Sequence, residues 1–132
     1  MSNSFKYVKA KGIATEDEYP YTARVQKCQK DGGSFKISGS TDIKGCDNLA
    51  NALQKGPISI AVDAMSWQQY NSGVVSSCKY TSLNFAALLV GIQNGNWVIK
   101  NDWGVNWGES GYIRLTSGNT CGICDMATIP IK

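Results

Sequence analysis

The chain has 132 residues, enough for one folded domain with a core of its own. A hydrophobic fraction of 42% and a charged fraction of 17% exclude wholesale disorder, and no apolar run nears the roughly 20 residues that span a bilayer. The net charge of +3 is spread along the chain, with no Lys/Arg block and no aromatic-basic interleaving, so nucleic acid is not the expected partner and neither is membrane insertion.

In chain order, Ser4–Lys11 places Phe5 and Val8 on one helical face, and Gly12 is a fitting stop. Met1–Ala10 is polar and basic and has no apolar core of the signal-peptide kind, so secretion would require a leader that has been removed. Thr15–Glu18 reads as a polar turn. The extended Tyr19-Pro20-Tyr21 follows, since the residue before a proline is biased away from helix. From Thr22 to Ser34 the chain is polar and loop-like. Phe35–Lys44 alternates enough for a strand, weakened by Gly39.

Asp47 or Asn48 is the expected cap of a short helix, Leu49–Gln54, ended by Gly56-Pro57. Ile58–Val62 is dense enough for a buried strand. Ser66–Tyr70 reads as one helical turn, Val74-Val75 as a sheet edge and Cys78–Asn84 as loop. Two further strands, Phe85–Ile92 and Trp97–Lys100, flank the hairpin signal Asn94-Gly95. A turn rich in Gly and Trp, Asn101–Gly111, leads to Tyr112–Leu115, and Met126–Ile131 makes the last strand. Five or six strands with hairpin connections and short helices predict an α+β domain built on an antiparallel, barrel-like sheet.

The five cysteines are Cys28, Cys46, Cys78, Cys121 and Cys124. An odd count leaves at least one thiol free or bonded to another chain. The C-x-x-C spacing of Cys121 and Cys124 fits a redox pair or half a zinc site as well as structural disulfides. Zinc needs further ligands nearby and the chain has no histidine, and a redox motif ordinarily opens a helix after a strand. Structural disulfides are the simpler reading; no metal or cofactor is expected.

Four stretches together resemble the C-terminal half of a papain-like cysteine peptidase: Tyr7–Tyr21, Gly56–Ala64, Leu83–Gly91 and Lys100–Leu115. The last, K-N-D-W-G-V-N-W-G-E-S-G-Y-I-R-L, is the most specific, because spaced Trp and Gly in that order rarely arise otherwise. The resemblance covers essentially the whole chain and implies one papain-like C-terminal half-domain. Residues 1–34 would be an N-terminal helix with an extended loop, and residues 35–132 the barrel-like sheet.

In that family a thiolate attacks the peptide carbonyl, an imidazole pairs with it, and an amide orients the ring. The resemblance puts Asn101 at the orienting asparagine and Trp103 and Trp107 at the tryptophans that shield it. Asp102 replaces a serine. The histidine position is Phe85, which neither accepts nor donates a proton. None of the five cysteines matches the nucleophile motif, which lies in the family's N-terminal half. The resemblance also implies a Cys78–Cys121 bridge. A second, Cys46–Cys124, follows if the strand over residues 35–44 pairs antiparallel with residues 126–131. Cys28 is then unpaired here or joined to another polypeptide. Met126 falls near the family's main specificity pocket, although a core role is simpler.

These expectations describe a pseudoenzyme, a structural or interaction subunit with another protein chain covering an exposed apolar face around Phe85, Trp103 and Trp107. The alternative is one chain of a two-chain cysteine endopeptidase whose nucleophile lies elsewhere; a peptide-capturing decoy ranks third. The compartment is open: the resemblance implies a lysosome-like or extracellular one, and an intracellular assembly fits the missing leader.

Overall fold

The computed structural model describes residues 1–78 and 80–132; Lys79, in the segment expected to be loop, lies outside the described residues. Two compact units are present, one of Met1–Thr41 with Pro130–Lys132 and one of Asp42–Ile129. None of the helices is long and apolar enough to cross a membrane among the described residues.

In the first unit, helix α1 (Ser2–Lys11) ends where Gly12 takes φ 80°, its N–H reaching the Val8 carbonyl. No residue of α1 is buried. The turn after it closes on itself: Thr15 N–H donates to the Glu18 carboxylate at 3.0 Å, and Glu18 N–H donates to Thr15 Oγ1 at 3.3 Å. This is the reciprocal arrangement that a Thr-x-x-Glu spacing favours. Tyr7 ties the following loop down, its hydroxyl accepting from Gly32 N–H at 2.7 Å and donating to Asp31 at 3.0 Å.

The remaining elements are β1 (Gly39–Ile43), α2 (Cys46–Leu53), β2 (Ile58–Val62), β3 (Val74–Val75), β4 (Phe85–Gln93), β5 (Asn96–Lys100), β6 (Tyr112–Leu115) and β7 (Ala127–Ile131), with a 3₁₀ turn at Thr120–Gly122. One sheet runs in the order β1-β7-β2-β4-β5-β6-β3, so the α+β class read from the sequence is the one observed. Strand β2 alternates fully buried Ile58, Ile60 and Val62 with half-buried neighbours and pairs antiparallel with β4, Ile58 opposite Leu89 and Val62 opposite Phe85. Strands β4 and β5 form a hairpin whose two-residue turn needs φ > 0 twice; Asn94 (φ 52°) and Gly95 (φ 79°) supply it. The core of the second unit gathers Leu49, Ile58, Ile60, Val62, Leu89, Ile99, Ile113, Leu115, Ile123 and the fully buried Trp67.

Several expectations are corrected. The strand expected over residues 35–44 begins only at Gly39; Phe35 makes an isolated bridge to Ile13 instead. Helix α2 starts at Cys46 on Gly45 (φ 86°), with no side-chain cap from Asp47 or Asn48; the Asn48 amide donates back to Lys44 O. Residues 66–70 form turns closed by Trp67 N–H to Ala64 O and Tyr70 N–H to Trp67 O, not a helix. The edge at Val74-Val75 runs parallel to β6, so the sheet is not purely antiparallel.

Candidate functional site

The site is assembled at the end of the sheet where β4 begins and β5 ends. Leu88 lies opposite Lys100 in the antiparallel register, so Phe85, three residues earlier, and Asn101 to Trp103, just after β5, come to the same end. Phe85 is half-buried. Its ring centroid stands 5.2 Å from Trp103 at 60° and 6.4 Å from Trp67 at 63°. Trp103 in turn meets Trp107 edge-on at 5.0 Å, and Tyr70 tilts onto Trp107 at 5.5 Å. Such tilted and edge-to-face pairs each add about 0.5–1.5 kcal/mol beyond area burial. The Trp107 indole N–H donates to Trp67 O at 3.2 Å, which fixes its plane. Of the three residues expected to form an open apolar face, only Trp103 is exposed, at 37%. Phe85 and Trp107 are half-buried and pack on the core, because the aromatic rings cover one another.

Asn101 is 9% exposed. Its N–H donates to Gly111 O at 2.9 Å and its side-chain Oδ1 accepts from Asp102 N–H at 2.9 Å. Its Nδ2 is buried and has no hydrogen-bond partner among the described residues. The turn that carries these residues depends on glycine. At Gly108 (φ 55°) a Cβ would stand 2.6 Å from Tyr112 O, so no side chain fits.

Two polar clusters brace this end and escaped the sequence reading. Asp63, directly after β2 and 1% exposed, accepts from Asn84 Nδ2 (2.8 Å), Thr81 N–H (2.9 Å), Thr81 Oγ1 (3.0 Å) and Met65 N–H (3.1 Å). The Thr81 backbone N–H, then that of Met65 and the Asn84 amide, hold its carboxyl well below the usual carboxylate range. Asn84 also accepts from Ala64 N–H at 2.9 Å, so the residue before Phe85 is locked at both ends of its amide. A charged residue abutting a strand as apolar as I-S-I-A-V was the available signal. In the second cluster Glu109 takes Arg114 in a forked pair at 2.8 and 2.6 Å and accepts from Gly73 N–H at 2.9 Å. The Arg114 guanidinium, then Gly73 N–H, lower the Glu109 carboxyl to about 2.

Cys78 is bonded to Cys121, with Cα atoms 5.2 Å apart, and Cys46 to Cys124, 4.9 Å apart. Cys78–Cys121 is the bridge the resemblance implies and Cys46–Cys124 the one expected from the pairing of residues 35–44 with 126–131; together they take the two cysteines of the C-x-x-C motif into different bridges. Cys28 is exposed and belongs to neither bridge. Met126 is 52% exposed, which corrects its assignment to the core: the next residue, Ala127, is the one buried. Among the described residues no cluster of three or more His, Cys, Asp or Glu could hold a metal ion.

A mixed α+β unit with an asparagine and two tryptophans packed edge to face at one sheet end defines a papain-like half-domain. The chain belongs to the papain family of cysteine proteases, whose family description matches residues 1–131. It is 47% identical over 137 residues to cathepsin L 2 of Paramecium tetraurelia, covering 99% of this chain and 42% of that protein. It is 41% identical over 150 residues to testin-2 of Mus musculus, covering 99% and 45%. Among solved structures it is similar to procathepsin L 3 of the Tenebrio molitor larval midgut, with a TM-score of 0.90, 36% identity and coverage of 100% of this chain and 48% of that one. Bromelain of Ananas comosus in complex with the inhibitor E64 superposes with a TM-score of 0.88 at 33% identity, over 98% of this chain and 68% of that one. The chain thus spans less than half the length of the curated relatives it matches.

Proposed function

We propose that this chain is a catalytically silent papain-family domain with a structural or protein-interaction role, and that its partner covers the sheet end around Phe85, Trp103 and Trp107. The observation that carries the reading is Phe85. At the position that the family resemblance assigns to histidine stands a ring packed between Trp67 and Trp103, with no proton to give or take. The orienting amide of Asn101 accepts from Asp102 N–H through Oδ1, the atom that would otherwise accept an imidazole N–H. Loss of the imidazole from a thiol–imidazole pair costs about 10⁴-fold or more in rate. The partly exposed Trp103 offers a flat aromatic contact of the kind that anchors protein interfaces. The two disulfides favour an oxidising compartment, lysosome-like or extracellular.

The retained asparagine and tryptophan frame supports a second reading, one chain of a two-chain cysteine endopeptidase. One experiment separates them. The protein, purified from its natural source with whatever remains bound to it, is assayed on a fluorogenic peptidyl substrate under reducing conditions. The proposal expects no hydrolysis sensitive to an epoxide inhibitor of thiol peptidases; inhibitor-sensitive turnover overturns it in favour of the second reading.

A further inference from the structure

The two cysteines of the C-x-x-C motif enter bridges with unlike surroundings. Cys121 is 1% exposed and accepts from the Trp67 indole N–H at 3.5 Å, inside the core of the second unit. Cys124 is buried as well, but its partner Cys46 is half-buried and helps to wall a cleft of about 280 Å³ with Asp47, Ala50, Ile92 and Trp97. Cys46 is also the first residue of α2, entered through Gly45. The free N–H groups of a first helical turn favour a thiolate at that place, and the Asp47 carboxylate in the same turn offsets part of this. Helix α2 leans on the bridge. Its eight residues are too few for a helix to hold itself in water, and Leu49 is the only one fully buried. Two ties fix its start: the Cys46–Cys124 bridge, with Cα atoms 4.9 Å apart, and Gly45 N–H, which donates to Cys124 O at 2.9 Å. Both ties run to Cys124.

We propose that the Cys46–Cys124 bridge is a redox switch, opened by a small thiol of the glutathione class ahead of Cys78–Cys121, and that its opening releases the start of α2. A thiolate entering the cleft attacks Cys46 Sγ, the accessible sulfur of the bridge. The bond to Cys124 breaks, and Cys124 Sγ leaves with the electron pair and takes up a proton. A second thiolate then attacks the small-molecule sulfur of the mixed disulfide and expels Cys46 as a thiolate, which the helix N-terminus favours. The bridge is reduced to a pair of thiols, and the two small thiols are oxidised to one disulfide. The first turn of α2 then keeps only the Gly45 hydrogen bond and frays, as segments with few buried contacts do. The inference concerns the second unit alone and stands whether or not the protein hydrolyses peptides.

To test this, the native protein, its exposed Cys28 first capped with iodoacetamide, is equilibrated in glutathione buffers of graded ratio. Newly freed thiols are trapped with N-ethylmaleimide and located by peptide mass mapping. Labelling of Cys46 and Cys124 is expected at a ratio of reduced to oxidised glutathione about tenfold or more below that needed for Cys78 and Cys121. Over the same range of ratios, amide hydrogen exchange across Cys46–Leu53 is expected to quicken about tenfold while that of Ile58–Val62 is unchanged. A protein carrying both Cys46→Ser and Cys124→Ser should show the faster exchange without any reductant. Release of all four thiols together, release of Cys78 and Cys121 first, or no release of Cys46 before the whole protein unfolds overturns the proposal. So do α2 amides that exchange alike with the bridge open and closed.

Discussion

Asn101 offers an inverted mutational prediction. Replacing a buried asparagine by leucine ordinarily destabilises, because the partners of the amide are orphaned. Among the described residues the only side-chain bond lost is Asp102 N–H to Oδ1 at 2.9 Å, worth about 0.5–1.5 kcal/mol, and Asp102 is exposed, so water takes its N–H. What is gained is relief from an unpaired, buried Nδ2, which costs about 1–3 kcal/mol where it stands. Asn101→Leu is therefore expected to stabilise the chain by roughly 1 kcal/mol, read from urea unfolding followed by tryptophan fluorescence. Phe85→His offers the amide a second partner, because an imidazole N–H at the start of β4 is a donor that a carbonyl oxygen such as Oδ1 can accept. In that background Asn101→Leu is expected to destabilise, and the double-mutant cycle to give a coupling of about 1–2 kcal/mol. Asn101→Leu destabilising the unaltered chain by more than about 1 kcal/mol would refute the reasoning, since it would mean that the amide already has a partner.

Other outcomes follow from the same geometry. Leu89→Ala, at a fully buried position between β2 and β5, is expected to cost about 2–5 kcal/mol by the same unfolding assay. Replacing Cys78 and Cys121 together by serine is expected to cost about 2–4 kcal/mol, since the bridge closes a loop with a sequence separation of 43; an unchanged urea midpoint would contradict this. Glu109 has its carboxyl lowered to about 2, so its contribution is present above the ordinary glutamate range and is lost as pH falls toward 2. Asp63 adds to stability with the same sign. Glu109→Gln should therefore be less stable than the unaltered chain near pH 7, with the gap closing as pH drops to about 3; a gap that widens on acidification would reverse the sign argued here. Phe85→Ala is expected to cost roughly 2 kcal/mol, about half the full burial value, because the ring is half-buried between two tryptophans.

Much of this protein can be read along the chain. Ile58–Val62 is legible to the residue because a β-branched run between Pro57 and Asp63 has no other way to bury itself. The hairpin turn is legible because Asn94-Gly95 is among the few pairs that tolerate two positive φ angles. That Phe85 stands where the resemblance puts a histidine is a matter of residue identity, so this part of the proposed reading needs no coordinates.

What the tertiary structure alone decided is everything that depends on partners distant in the chain. Local alternation extends a strand back to Phe35, yet a strand exists only where another pairs with it, and that begins at Gly39. Asp47 and Asn48 have good cap chemistry, but the chain enters α2 through Gly45 in a left-handed turn that starts the helix before them. Asp63 looks like a surface charge in sequence; residues 81 to 84 return over it and make it the buried anchor of the segment that leads into Phe85. The half-buried aromatic end, with an Asn101 Nδ2 that has no partner among the described residues, is likewise set by five rings and a strand register that meet only in the fold. Composition and motif can say which chemistry is missing from a chain. Burial and hydrogen bonding are properties of neighbours, and decisive neighbours here lie far apart in the chain, as Asn84 does from Ala64, with a separation of 20.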